Sequence, residues 1–159
     1  MPYSFDAVIG AEPRVLILGT MPSAESLRQG MYYAHKRNAF WTIMSGLLGE
    51  EPAPSDRAAR YEMLKRHGVA LWDVLAHCER EGSLDLNIKN PEPNDLRGLI
   101  ARAPSLKAVF CNGTKAYELY SRFFSDVKLP CFKLCSTSPA MTVSARSKLE
   151  QWQAILKYL

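Results

Sequence analysis

The stretch Val15-Leu-Ile-Leu-Gly-Thr20 decides the fold, because it is an apolar run that ends in a glycine and a small polar residue. Such a run is typical of a β-strand that is buried on both faces. Three further stretches have the same character, namely Val69–Asp73, Ala108–Asn112 and Cys131–Ser136. Each is short, partly β-branched or aromatic, and ends in small or polar residues. The sequence therefore predicts four buried strands.

Helical patterns lie between these strands. Each predicted helix has a residue that can cap its first turn or begin its apolar stripe: Phe40, Ser55, Asn94 or Asp95, Thr114, and a residue near Ser144. The proline-containing stretches Glu51–Pro54 and Asn90–Pro93 are interpreted as surface loops. Strands that alternate with helices imply parallel strands joined by right-handed crossovers. We therefore predict an α/β fold, a three-layer α/β/α sandwich with a central four-stranded parallel sheet, formed by residues 1–159 as a single domain.

The composition is that of an ordinary folded protein. Of the 159 residues, 47% are hydrophobic and 23% are charged, which argues against disorder. No apolar run approaches the roughly 18 residues of a membrane span, and the first residues lack the pattern of a secretion signal. The four cysteines are not a disulfide framework, so we expect a cytoplasmic protein with free thiols. The net charge of +4 permits an anionic partner such as nucleic acid without requiring one.

Ligands of parallel α/β sheets bind beyond the carboxyl ends of the strands. The segment after the first strand has neither a Walker sequence nor G-x-G-x-x-G, which argues against a nucleotide cofactor. It carries the tyrosine pair Tyr32 and Tyr33, then the basic cluster His35–Arg37, then Asn38. Aromatic rings beside cations can stack a base and bind phosphate. The same residues could instead be core tyrosines and solvated charges.

Four motifs in this chain resemble those of the uracil-DNA glycosylase superfamily, and of its mismatch-specific and hypoxanthine-DNA glycosylase branches. The first motif of that superfamily, G-x-x-P after a strand, is matched by Gly19–Pro22. An aromatic-Ala-His-Pro-x-Asn-x-Phe-Trp stretch of the mismatch-specific branch is matched by Tyr33–Trp41, and a Ser/Pro-rich loop by Ser136–Ala140. Asn112–Glu118 is similar to the hypoxanthine branch at the end of the third strand.

The resemblance implies a monofunctional DNA glycosylase of base excision repair. Such an enzyme flips a deaminated base, here hypoxanthine or uracil, and hydrolyses its N-glycosidic bond to leave an abasic site. Its partner would be single- or double-stranded DNA, and we expect a nucleoid-associated monomer that needs no cofactor and no metal. The cysteines lack paired C-x-x-C spacing, which argues against an iron–sulfur cluster. No lysine stands at an obvious Schiff-base position, so we expect no strand cleavage.

The same resemblance implies a role for each residue of the site. Met21 stands where mismatch-specific enzymes usually carry a water-positioning asparagine, and a thioether cannot orient water well. Asn38 is therefore the implied catalytic residue, although it could equally cap the helix that begins near Phe40. The residues implied to bind the base are Gly19, Thr20, Tyr33 and Asn112. Those implied to contact the DNA backbone or to act as a wedge are His35, Ser136, Ser138, Pro139, Met141 and Arg146.

Several alternatives stay open. Asp73 and Asp85 are candidate general bases, but each could simply cap or turn a loop. Lys148 is expected on a solvated helix face together with Arg146. Met21 also leaves room for a protein that binds nucleic acid without catalysis. A small-molecule hydrolase is disfavoured, because the chain has no G-x-S-x-G motif and no Ser-His-Asp order.

Overall fold

The four predicted strands are present in the computed structural model, which describes residues 3–159. They are β1 (Val15–Gly19), β2 (Val69–Asp73), β5 (Ala108–Asn112) and β6 (Cys131–Leu134), and they pair in parallel in the order β2-β1-β5-β6. The last strand ends at Leu134, two residues before the predicted end. Only Leu134 of its four residues is buried, so the prediction of a buried strand is wrong for β6, because β6 lies at the edge of the sheet. Strands β1, β2 and β5 have five residues each, and every one of these residues except Trp72 is buried, as the apolar composition of the strands indicates.

Within the described residues, six helices accompany the sheet: α1 (Ala24–Gln29), α2 (Phe40–Leu47), α3 (Arg57–Arg66), α4 (Leu96–Arg102), α5 (Thr114–Phe123) and α6 (Ala145–Trp152), with short 3-10 turns at Asp85–Asn87 and Gln153–Tyr158. Val15 and Ile17 of β1 pack with side chains of α2, α3 and α6. Leu16 and Leu18 pack with side chains of α4 and α5. Alternate residues of one strand thus serve two cores, which confirms the three-layer sandwich. None of the helices in residues 3–159 has the length and apolarity to span a membrane.

The caps of two helices differ from the predicted ones. Asp56, not Ser55, caps α3, because its carboxylate accepts a hydrogen bond from the amide of Ala59 at 2.9 Å. Gly113, not Thr114, precedes α5 and has φ of 97°, a backbone conformation that favours glycine. The predicted caps Asp95 and Ser144 are confirmed.

An antiparallel hairpin, β3 (Leu75–Glu79) and β4 (Lys89–Pro93), stands beside the main sheet. The prediction that residues 90–93 form a loop is therefore wrong. The sequence of β4, Lys-Asn-Pro-Glu-Pro, has low strand propensity, and its strand conformation depends on pairing with β3. The tip of the hairpin reaches the first motif, since the amide of Ala24 donates to Ser83 Oγ at 2.8 Å.

Candidate active site

A pocket of about 550 Å³ opens at the carboxyl ends of the parallel strands. Gly19, Asp73 and Asn112 are the last residues of β1, β2 and β5, and all three line it. Its volume lies within the range of about 300–1,000 Å³ that small-molecule sites occupy. The strand-end rule therefore leads to a concave site in this protein.

Ten of the eleven site residues named from the sequence line this one pocket: Gly19, Thr20, Tyr33, His35, Asn38, Asn112, Ser136, Ser138, Pro139 and Met141. They come from four separate segments of the chain. The eleventh, Arg146, lies on α6 outside the pocket. Its side chain is 90% exposed, and its Nε lies 3.7 Å from Glu150 Oε1.

Lys148 does not lie on a solvated face, and that prediction is wrong. Its residue is only 5% exposed, and its Nζ donates to the carbonyl oxygen of Ser138 at 3.1 Å. The ammonium group thus supports the Ser/Pro-rich loop from behind. A lysine two residues after Arg146 on a helix gives no sequence signal for this burial, because the contact comes from a distant loop.

The serines of that loop hold its backbone turns. Ser136 Oγ accepts from the amide of Ser138, and Ser138 Oγ accepts from the amide of Ala140, each at 3.1 Å. A hydroxyl that accepts one hydrogen bond can still donate its own proton. Each serine therefore keeps a donor that could reach a phosphate oxygen.

Gly19 is required by space rather than by its backbone dihedrals. A Cβ added there would lie 2.6 Å from Asp73 Oδ1 and 2.8 Å from Tyr33 Oη, distances that real Cβ atoms essentially never show. Two polar side chains therefore converge on the end of β1. The first residue of the G-x-x-P motif makes room for both.

Asn38 lies in the turn that leads into α2. Its side-chain Oδ1 accepts a hydrogen bond from the backbone amide of Phe40 at 3.0 Å. The backbone amide of Asn38 donates to the backbone carbonyl of His35 at 2.9 Å. The side chain therefore supports the first turn of α2, although Ala39 is the residue that immediately precedes the helix. An amide oxygen accepts two hydrogen bonds, so the same Oδ1 can also hold a water molecule.

Asn112 pairs with Thr137 of the Ser/Pro-rich loop. Its Nδ2 donates to Thr137 Oγ1, and its Oδ1 accepts from the amide of Thr137, both at 3.0 Å. Thr137 is fully buried, so its hydroxyl does not face phosphate. The amide that was named for base binding thus already makes two hydrogen bonds, and one donor and one acceptor position remain on it.

The pocket contains buried polar atoms without a partner. Within residues 3–159, Tyr32 Oη, Tyr33 Oη and Asp73 Oδ2 are buried and make no hydrogen bond of normal geometry, although the Tyr32 hydroxyl and the Asp73 carboxyl are near enough to shift each other's pKa. All three residues line the pocket. An unpaired buried polar group costs about 1–3 kcal/mol, so such groups point to a ligand or to water. The ring of Tyr33 stacks on the ring of Phe40, with the two centroids 4.2 Å apart. The backbone of Tyr33 has a positive φ of 53°.

Burial raises the pKa of two carboxyl groups at the site. It raises the pKa of Asp73 to about 8, so the neutral form of this carboxyl predominates at neutral pH. Burial also raises the pKa of Asp85, while the positive charge of Arg80 opposes that rise. Asp85 Oδ2 accepts from Thr20 Oγ1 at 3.4 Å, which links the hairpin to the first motif.

No group of three or more histidine, cysteine, aspartate or glutamate side chains within the part of the chain that the structure describes could hold a metal ion. The sulfur atoms of Cys111 and Cys131, on the neighbouring strands β5 and β6, lie 3.7 Å apart as free thiols.

Comparison with known proteins connects this site to one family. The sequence model of the Uracil DNA glycosylase superfamily matches residues 7–159. Two proteins named hypoxanthine DNA glycosylase are similar to the chain. The one from Methanosarcina barkeri is 35% identical over 96% of both chains, and the one from Methanosarcina acetivorans is 32% identical over 97% of both. A solution NMR structure of a Methanosarcina acetivorans protein, proposed to be a uracil DNA glycosylase, superposes with a TM-score of 0.86 at 32% identity, covering 98% of this chain and 96% of that one.

Proposed function

This chain belongs to the uracil DNA glycosylase superfamily, and we propose that it is a monofunctional DNA glycosylase that releases hypoxanthine from DNA. The observation that carries the proposal is that residues from four motif segments converge on one pocket of base-binding size. The names of the two similar proteins favour hypoxanthine as the substrate base. Uracil is the second candidate base, and the enzyme would act as a monomer.

The pocket would receive a nucleotide that has rotated out of the duplex. Rotation costs a few kcal/mol and is cheapest for a damaged or mismatched pair. Phe40 supports the Tyr33 ring on one face, and we assign stacking on the flipped base to the other face. Stacking beside a polar floor would hold the sugar at the mouth of the pocket.

The polar floor would recognise the edge of the base. A protonated Asp73 offers one hydrogen-bond donor and one acceptor, and Tyr32 and Tyr33 add hydroxyl groups. Hypoxanthine presents an N1–H donor beside an O6 acceptor. A neutral carboxyl can accept from the first and donate to the second, which would satisfy atoms that are otherwise unpaired.

Hydrolysis would proceed by attack of water on the sugar. The bond between C1′ and the base nitrogen breaks, its electron pair leaves on the base, and the water oxygen bonds to C1′ while its proton is taken up by the departing base or by solvent. Asn38 cannot remove a proton at neutral pH, but its carbonyl oxygen can aim the water at C1′. Catalysis would then come from positioning and from stabilisation of the departing base by the polar floor.

The test is a set of end-labelled oligonucleotides that carry hypoxanthine, uracil, xanthine or only normal bases. Base release should leave an intact strand that breaks only after alkali or heat, with hypoxanthine released fastest. Binding without release would instead establish a nucleic-acid-binding protein. Strand breaks without alkali, together with an adduct trapped by borohydride, would refute the monofunctional mechanism.

A further inference from the structure

The tip of the β3–β4 hairpin, residues 80–88, forms part of the rim of the pocket. Ser83, Leu84, Asp85 and Leu86 all line the pocket, as does Met141 of the Ser/Pro-rich loop. The family resemblance implies no role for this tip, in which Asp85 is the one residue that the sequence marks as a candidate. The tip is therefore a second element at the mouth of the site.

The tip exposes leucine side chains at that mouth. Leu86 is 93% exposed, which makes it the most exposed large hydrophobic residue in the described part of the chain, and Leu84 is 56% exposed. Met141, at another part of the same rim, is 36% exposed. Exposed apolar side chains gathered at one site indicate a surface that another molecule covers.

Two contacts with the first motif and one with the start of α1 hold the tip in place. Arg80, whose side chain is only 5% exposed, donates from Nη2 to the carbonyl of Pro22 at 2.5 Å. Ser83 Oγ accepts from the amide of Ala24, and Asp85 accepts from Thr20. The tip is thus tied to the loop that lines the pocket, and Leu86 is presented from an anchored position.

The charges of the tip limit what it can contact. Residues 81–88, Glu-Gly-Ser-Leu-Asp-Leu-Asn-Ile, include two acids and neither lysine nor arginine. Such a segment offers no cation to the phosphate backbone. In contrast, Lys36 and Arg37 are exposed in the turn that leads to Asn38 and can contact phosphates. The part of DNA that leucine side chains can pack against is the faces of the bases. Apolar side chains reach these faces by insertion between neighbouring base pairs.

We propose that Leu86 inserts into the base stack of duplex DNA beside the flipped nucleotide, so that the hairpin tip acts as a wedge together with Met141. The inference rests on the proposed function, because it takes this pocket as the one that receives the base. A flipped nucleotide leaves a gap in the stack, and a leucine at the pocket mouth, on a tip that neighbouring residues anchor, can fill it. Single-stranded DNA has no stack to fill, so its processing should not need Leu86.

The experiment compares Leu86→Ala with the unmodified protein in single-turnover release of hypoxanthine from double- and single-stranded oligonucleotides of one sequence. We expect the duplex rate to fall about tenfold or more, while the single-strand rate changes less than about twofold. Leu86→Met should keep most of the duplex rate, because it preserves an apolar side chain. Leu156→Ala is the matched control, since that leucine is 44% exposed and does not line the pocket.

Other outcomes would overturn the proposal. An equal loss of rate on both substrates would make Leu86 a part of the pocket rather than a wedge, and no loss on duplex would remove it from the interface. If the unmodified protein releases no base at all, the proposed function fails, and 2-aminopurine fluorescence beside the lesion still decides the wedge. Its increase on binding of duplex should be smaller for Leu86→Ala, and an unchanged increase would reject the insertion. A melting temperature equal to that of the unmodified protein shows that the variant is folded.

Discussion

Asn112 and Thr137 bind each other through two hydrogen bonds of 3.0 Å, one in each direction, between the end of β5 and the Ser/Pro-rich loop. The carbonyl of Thr137 also accepts from the amide of Ala39 at 3.0 Å, next to Asn38. Thr137 therefore joins three parts of the pocket: the strand end, the loop and the turn that carries Asn38. The geometry of the site depends on this buried threonine.

This pair distinguishes a positioning role of Asn112 from a base-reading role. We expect Thr137→Val to lower the free energy of unfolding by about 1–3 kcal/mol, because it leaves Asn112 Nδ2 without its acceptor, while the backbone amide of residue 137 still donates to Asn112 Oδ1. If Asn112 only positions the loop, Thr137→Val and Asn112→Ala should slow the release of all bases by similar factors. If Asn112 also reads the base, Asn112→Ala alone should change the ratio of hypoxanthine to uracil release, because a lost contact penalises one base more. Single-turnover rates on both substrates and thermal melting measure these effects.

Asn38→Ala tests the water-positioning role. We expect the single-turnover rate to fall far more than the affinity for DNA, since Asn38 acts on the water and not on the duplex. Asn38→Asp should retain part of the rate, because its carboxylate can also hold water. The loss of the hydrogen bond to Phe40 should cost about 0.5–2 kcal/mol of stability.

Asp56→Ala is the matched control for Asn38. It likewise removes a side-chain acceptor from the first turn of a helix, here α3, and Asp56 does not line the pocket. It should lower the melting temperature without changing the rate. A normal rate in Asn38→Ala, together with a lowered melting temperature, would reduce Asn38 to a cap.

The buried carboxyl of Asp73 predicts a pH dependence of stability. Its pKa in the folded protein, about 8, lies above its ordinary value of 3.8. The neutral carboxyl therefore contributes stability that is fully present below about pH 4 and is lost progressively as the pH rises through 8. The isosteric variant Asp73→Asn has no carboxyl proton to lose. The melting temperature of the variant minus that of the unmodified protein should therefore increase as the pH rises from about 4 to about 8.

The same carboxyl predicts a pH dependence of the rate. If a neutral Asp73 contacts the base, base release by the unmodified protein should decline above about pH 8, where the carboxyl ionises. Asp73→Asn should lack this decline, because its amide keeps a donor at every pH. A decline of the same size in both proteins would assign the titration to another group.

Removal of the two cationic side chains of α6, Arg146 and Lys148, should affect stability to different extents. Lys148→Met removes the hydrogen bond to Ser138 from a buried position, so we expect a lower melting temperature and slower base release. Arg146→Ala should change the free energy of unfolding by less than about 0.5 kcal/mol, because that side chain is exposed. If Arg146 contacts a phosphate, the slope of log affinity against log salt should decrease by about one unit. An unchanged slope would remove Arg146 from the DNA interface.

The positions of the buried strands and of the motifs along the chain can be read from the sequence, because both are local properties. A strand such as Val15–Gly19 is recognised from the apolar character of its own residues, and the strand-end rule then directs attention to the residues that follow it. For the same reason the sequence identified ten of the residues that line the pocket, including Asn38 and Tyr33, which belong to a contiguous motif.

Other properties depend on which distant segments pack together, and these only the tertiary structure decided. Residues 89–93 form a strand because β3 lies beside them, against their own low propensity. Lys148 is buried because the Ser/Pro-rich loop covers it, and Asn112 is engaged because Thr137 reaches it across 25 positions of sequence. The protonation of Asp73 likewise follows from burial among residues of other segments, since the free energy of a charge depends on its surroundings and not on its neighbours along the chain.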